Sequence, residues 1–298
     1  MKTKNMLKRV AAVAGSAVLL GGLAVTSAGT ATAAPLAACE GNVFSVDGSG
    51  AWKTSTVTGT NPPSIVHGTP QPLFPAGSVK LASHWNWGPD VAGSTYNGYL
   101  VQGISLYQTY YTYSESTQQW DLRQTKIADG WDKFTMIEES YAGSTPTARN
   151  ARYGLRNDGK LFRWTNGFQT VASKPGFTNI KAMALISQTA TYDTFLATTT
   201  TGVLETIHIP ATAPLNPVIK TVRGSTWQGF ETLVATKCGT GTLLTAIDKD
   251  TKSAYVYSIG HATGTTTPIT SLGKLPGTFD DAVYSRSSTD NDLPLAGE

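Results

Sequence analysis

The segment Gln119-Trp120-Asp121-Leu122, followed closely by Asp129-Gly130-Trp131-Asp132, sets two indoles beside an amide and several carboxylates. That combination suits sugar binding. A saccharide lays its C–H faces against aromatic rings, and its hydroxyls need fixed donors and acceptors. Trp120 and Trp131 would be the platforms, with Gln119, Asp129 and Asp132 as polar partners. The same indoles could equally fill the wedge between packed sheets, and their chemistry alone does not choose between the two uses. Weaker aromatic–polar pairs recur at Phe177 with Asn179, Trp227 with Gln228 and Phe279 with Asp280.

Catalytic constellations are scarcer. His67, His84, His208 and His261 lie far apart, with no His-x-x-x-His or Cys-x-x-Cys spacing, so neither a metal nor another cofactor is expected. A Gly-x-Ser-x-Gly nucleophile elbow is absent too. The carboxylates on the strands expected to be innermost are Glu138-Glu139, Glu231 and Asp280-Asp281. A glycoside hydrolase needs two carboxyl groups about 5–10 Å apart in one pocket. Adjacent strand residues point to opposite faces, so Glu138 and Glu139 should not share one. Hydrolysis stays an alternative, and no catalytic residue is assigned.

What must position these residues is β-structure. Helix signals are nearly absent; short runs of Val, Ile, Thr, Tyr and Phe alternate with Gly, Pro, Asn and Ser clusters. A Gly–aromatic–strand landmark stands clearest at Gly130-Trp131, with weaker copies at Phe177, Trp227 and Phe279 and a degenerate one at Val79. The anchors recur at a period near fifty. Inside each unit lies a hairpin, as in Gly154-Leu155-Arg156-Asn157-Asp158-Gly159-Lys160-Leu161-Phe162. The N-terminal hairpin around Asp47-Gly48 has no anchor strand before it, and the Phe279 anchor has no hairpin after it. These halves complete each other. The expected fold is an all-β, five-bladed β-propeller of four-stranded antiparallel blades, the last closed by both chain termini. An open β-sandwich with look-alike hairpins is the rival.

The N-terminus carries an address. Lys2, Lys4, Lys8 and Arg9 precede an apolar run and then Ala31-Thr32-Ala33, the small-x-small pattern of a cleaved secretory signal. The expected division is a signal at 1–33, a propeller domain at 39–287 and a polar tail at 288–298. Four of the 23 basic residues fall in the signal, leaving 19 against 20 acidic ones. That balance gives no electrostatic case for a nucleic-acid partner, and no later stretch is apolar enough to span a membrane. Cys39 and Cys238 are the only cysteines and lie just before equivalent hairpins of neighbouring units, where an extracellular disulfide would join the N-terminal arm to the ring. Leu36-Ala37-Ala38-Cys39 also reads as a lipoprotein box, which would make Cys39 a lipid anchor instead.

Residues 118–135, QQWDLRQTKIADGWDKFT, resemble the blade-join motif of the tachylectin-like five-bladed propeller lectins, and Gly159-Lys160-Leu161-Phe162 is similar to that repeat's hairpin. The resemblance implies a site at each blade join for N-acetylated amino sugars such as GlcNAc, on cell-wall or chitin-like glycans, without metal or catalysis. Trp120, Trp131 and Asp132 match the motif; Gln119 stands for its Asn and Asp129 for its first Gly. The other joins, at Phe177-Thr178, Trp227-Gln228 and Phe279-Asp280, lack the full Gly-Trp-Asp of the motif. The alternative use of such a scaffold is binding a secreted protein partner, with degenerate sugar pockets.

Overall fold

The computed structural model describes residues 38–90, 93–143, 148–165, 167–289, 292 and 294–298. The expected signal at 1–33 lies outside them. Glycine-punctuated runs of β-branched and aromatic residues form the strands expected of them. The chain opens with Glu40–Val46 (β1), Ala51–Thr58 (β2), Ser64–His67 (β3) and the short Gln71–Pro72 (β4). Next come Val79–Ala82 (β5), Trp85–Asp90 (β6), Gly93–Gln102 (β7), Ser105–Ser114 (β8) and Gln119–Asp129 (β9). A second run holds Phe134–Ala142 (β10), Arg149–Arg156 (β11), Leu161–Thr165 (β12) and Thr170–Lys174 (β13). A third holds Ile180–Gln188 (β14), Tyr192–Thr199 (β15), Leu204–Pro210 (β16) and Val218–Arg223 (β17). Thr232–Cys238 (β18), Gly241–Asp248 (β19), Ser253–Ile259 (β20) and Ile269–Lys274 (β21) precede Val283–Thr289 (β22).

β10–β13, β14–β17 and β18–β21 are separate four-stranded antiparallel meanders. The remaining strands make a larger sheet that contains two more such layers. In one, β22 is the inner neighbour of β1, β2 and β3; in the other, β5 and β6 pair with successive parts of β7, and β8 and β9 follow. A parallel pairing of β22 with β6, through Ser287↔Trp85 and Ser288↔Asn86, joins the two. β22 therefore closes a sheet begun by β1–β3, as the complementary half-repeats predict. The inner strands touch in ring order, β5 to β10, β14, β18, β22 and back to β5, which is the arrangement of a β-propeller. Residues 288 and 289, assigned to the tail by sequence, belong to β22, and Leu295 beyond it is buried.

Each join between successive sheets has its own core. Leu185 and Phe195 meet Tyr153 and Leu161 at one; Phe44 stacks on Trp85 at another, with ring centroids 4.5 Å apart. One join is also riveted by charge. Asp193 on β15, fully buried, accepts from Arg149 Nη1 at 2.6 Å and Nη2 at 2.5 Å, from Ser140 Oγ at 2.5 Å and from Tyr153 Oη at 2.6 Å. Cys39 and Cys238 form a disulfide with Cα atoms 5.6 Å apart, linking the arm before β1 to the end of β18. A thiol so used is not free for a lipid.

Glu205 on β16 is 9% exposed, and burial pushes its carboxyl above the usual range. A carboxyl whose folded pKa is raised contributes most below its unfolded pKa, and that contribution is lost as pH rises through the folded value. Glu205→Gln should therefore raise the melting temperature at pH 7 and change it little at pH 4. Equal shifts at both pH values would contradict this.

Candidate functional site

The anchor aromatics share one local device. The backbone N–H of Trp131 donates to Ile104 O at 2.9 Å, Phe177 to Gly159 O at 2.9 Å, Trp227 to Gly202 O at 3.0 Å and Phe279 to Lys252 O at 3.0 Å. Each segment thus clips onto the hairpin turn of the preceding sheet. At two of these turns the approach leaves room for glycine alone: Gly159 has φ of 75°, with a Cβ placed 2.3 Å from Thr178 N, and Gly202 has φ of 90°, whereas Ile104 and Lys252 carry side chains at the same point. The fifth copy corrects the sequence reading. Phe74, not Val79, makes the equivalent bond, to Gly50 O at 3.0 Å, and is buried, while Val79 opens β5. The landmark was hidden because Phe74 is followed by Pro75, and its glycine, Gly77, comes after rather than before it.

This device buries the rings. Trp131, Phe177, Trp227 and Phe279 are all at most 6% exposed. Trp131 lies on Phe134 at 4.3 Å and near Trp164 at 5.3 Å, inside the join core. It is not an open platform, and removing it should cost stability of about 3–5 kcal/mol. Its polar neighbours are exposed but engaged. Asp132 pairs with Lys133 at 2.8 Å; Asp129 accepts from Ser105 Oγ at 2.5 Å and from Lys126 Nζ at 2.8 Å. Asn179 O accepts from the Thr200 N–H at 2.8 Å, Gln228 O accepts from Lys181 Nζ, and Asp280 pairs with Lys252 at 3.3 Å.

Trp120 is different. It is 41% exposed and lies flat on Tyr111, with centroids 4.4 Å apart and planes 13° from parallel. Tyr113 and Tyr96 flank it at 5.1 and 6.1 Å. Tyr111 in turn meets Trp52 edge-on at 5.4 Å, so an aromatic column runs from the surface into the join between the β22–β1–β2–β3 layer and the β5–β9 layer. Trp131 belongs to the other face of β7–β9, where Tyr99, Val101 and Leu106 receive it. The two indoles predicted to share a site are thus in different joins, and β9 puts about 30 Å between Trp120 and Asp129. Gln119, next to Trp120 on the strand, points to the opposite face.

A second concavity lies on the ring axis. A channel of about 150 Å³, lined by inner strands of every layer, reaches Glu138 and Arg286 and adjoins a wider cavity of about 610 Å³. Glu138 Oε1 accepts from the backbone N–H of Glu139 at 2.9 Å and of His84 at 3.3 Å, and lies 3.9 Å from Arg286 Nη2. Glu138 lines the channel and Glu139 the wider cavity, so the two face different spaces. Burial pushes both carboxyls up, opposed by Arg286 at Glu138 and Arg152 at Glu139. His84 Nε2 lies 2.5 Å from Ser288 Oγ, and burial, reinforced by Arg286, holds its imidazole well below the usual pKa. Sequence reasoning missed this cavity. A charged residue, Arg286, in mid-strand on an inner strand was the available signal. Among the described residues no group of three or more His, Cys, Asp or Glu could hold a metal, and no helix is long and apolar enough to cross a membrane.

No protein-family model matches the chain, and no curated protein matches it in sequence. Among solved structures it is similar to the SapL1 lectin in complex with alpha methyl fucoside, at 6% identity over 82% of this chain and 98% of that one, with a TM-score of 0.39. It is also similar to the WD40 domain of SCAP from fission yeast, at 10% identity over 85% and 66% of the two chains, with a TM-score of 0.36. At such scores the likeness carries no conclusion about what this chain binds.

Proposed function

We propose that the chain is a secreted carbohydrate-binding protein, built as a five-bladed β-propeller, that takes N-acetylated amino sugars such as GlcNAc without catalysis. The observation that carries this reading is Trp120. An indole 41% exposed, supported from beneath by Tyr111, offers a rigid apolar face at a sheet join. Rings held this way lose little freedom on binding and match the C–H face of a pyranose. The motif around Trp120 is the one that resembles the propeller lectins, and the site lies at a join, as in that family, though at the closing-to-first join rather than the next.

Calorimetric titration of the protein with GlcNAc and chitooligosaccharides tests this, beside Trp120→Ala and Trp131→Ala. Trp120→Ala should weaken binding at least tenfold, about 1.4 kcal/mol, with an unchanged melting temperature. Trp131→Ala should instead destabilise the fold, as its burial dictates. Full affinity in Trp120→Ala would remove the site, and no heat from the unaltered protein would remove the function.

A further inference from the structure

The axial cavity has features of a binding site that owes nothing to Trp120. Arg286 sits where the narrow channel meets the wider space and lines both. At about 610 Å³ the cavity falls in the range of small-molecule sites, while the channel behind it, at about 150 Å³, is too small to admit the same ligand. Its walls come from different sheets: Asn86 on β6, Glu139 and Tyr141 on β10, Asn150 on β11, Gln188 on β14 and Arg286 on β22. Gly143, Asp292 and Pro294, outside the strands, complete the lining.

Three polar atoms in these walls are shielded from solvent and have no hydrogen-bond partner: Asn150 Oδ1, Gln188 Oε1 and Arg286 Nε. Arg286 as a whole is 8% exposed. Buried polar groups in native proteins are normally paired, so partners are owed here. Two of the atoms require donors and one an acceptor. The lining adds two further amides, Asn86 and Asn97, and the hydroxyls of Ser288 and Thr289.

These needs select the ligand's chemistry. A hydroxyl both donates and accepts, so a polyhydroxylated molecule suits a wall that mixes neutral amides and hydroxyls with one guanidinium, whereas a simple anion suits Arg286 alone. The carboxylates here are already engaged, Glu139 with Arg152 at 3.1 Å, Glu138 facing Arg286 at 3.9 Å and Asp292 accepting from the Thr289 N–H at 2.9 Å and Oγ1 at 3.1 Å, so an uncharged ligand suits them. Tyr141, 44% exposed, adds an aromatic face. We propose that the axial cavity is a second saccharide site, taking a short neutral oligosaccharide independently of Trp120.

The test is calorimetry with chitotriose, cellotriose and maltotriose on six proteins: unaltered, Trp120→Ala, Gln188→Leu, Asn150→Leu and the two double variants that add either leucine to Trp120→Ala, each first shown to be folded by thermal melting. Trp120→Ala should keep one equivalent of binding for at least one sugar. Adding Gln188→Leu or Asn150→Leu to it should weaken that binding at least tenfold. Loss of all binding in Trp120→Ala alone would make the cavity a water-filled vestibule and leave the Trp120 site standing. Binding abolished by Gln188→Leu and untouched by Trp120→Ala would keep the axial site and overturn the outer one. Silence from the unaltered protein with all three sugars would overturn both.

Discussion

Asp193→Ala should lower the unfolding free energy by about 3–5 kcal/mol, the loss expected when one member of a buried ion pair is deleted. Asp193 is the common acceptor for Arg149, Ser140 and Tyr153, which lie on β10 and β11 while Asp193 lies on β15. Deleting it leaves the Arg149 guanidinium, whose side chain is 17% exposed, without its counter-charge, and strips the tyrosine of its partner. Arg149 would still donate to Thr189 O at 2.7 Å, which satisfies a hydrogen but not the charge. Urea denaturation measures the loss. Replacing the pair together, as Asp193→Leu with Arg149→Met, should cost less than Asp193→Ala alone, because the stranded charge disappears with its partner. A loss below about 1 kcal/mol for the single variant would mean that apolar packing alone holds this join.

Cys238→Ser should cost about 2–5 kcal/mol, since a disulfide that closes a long loop removes much entropy from the unfolded chain. The bridge spans 199 residues and fastens the arm before β1 to the neighbouring sheet. Cys39→Ser should match it, and a reductant should destabilise the unaltered protein yet leave either variant alone. The intact unreduced protein should be lighter than the reduced one by two hydrogens. A lipid-bearing Cys39 would show instead as a large added mass and no response to reductant.

The sequence carried the repeat well because its carriers are short-range. Gly159 and Gly202 are demanded by positive φ and by the close approach of the next segment, and Trp131, Phe177, Trp227 and Phe279 by a buried slot at a fixed offset from those turns. Phe74 escaped because its slot is filled after a longer connection that breaks the spacing. The disulfide was legible from equivalent positions, while its competition with a lipid was not. The candidate site was harder. Trp120 leaves a face of β9 toward one join, while Trp131, in the turn after β9, is clipped into another, and neither indole carries that information in its sequence neighbours. The axial cavity was less legible still: Asn150, Gln188 and Arg286 are far apart in sequence and meet only when the ring closes.

That closure has a consequence for the order of events in the chain's life. β1–β3 are made first, but their inner neighbour is β22, which also supplies the parallel seam to β6. Until β22 is synthesised, the first-made hairpins expose an unpaired inner edge, and the Phe44 and Trp85 rings lack part of the core they share with Val283. Pairings of such high sequence separation make folding slow. A ring that cannot close before β22 emerges stays extensible until that strand has been made. Chains halted just before β22 should accordingly remain open to protease, and chains that include β22 should gain protection.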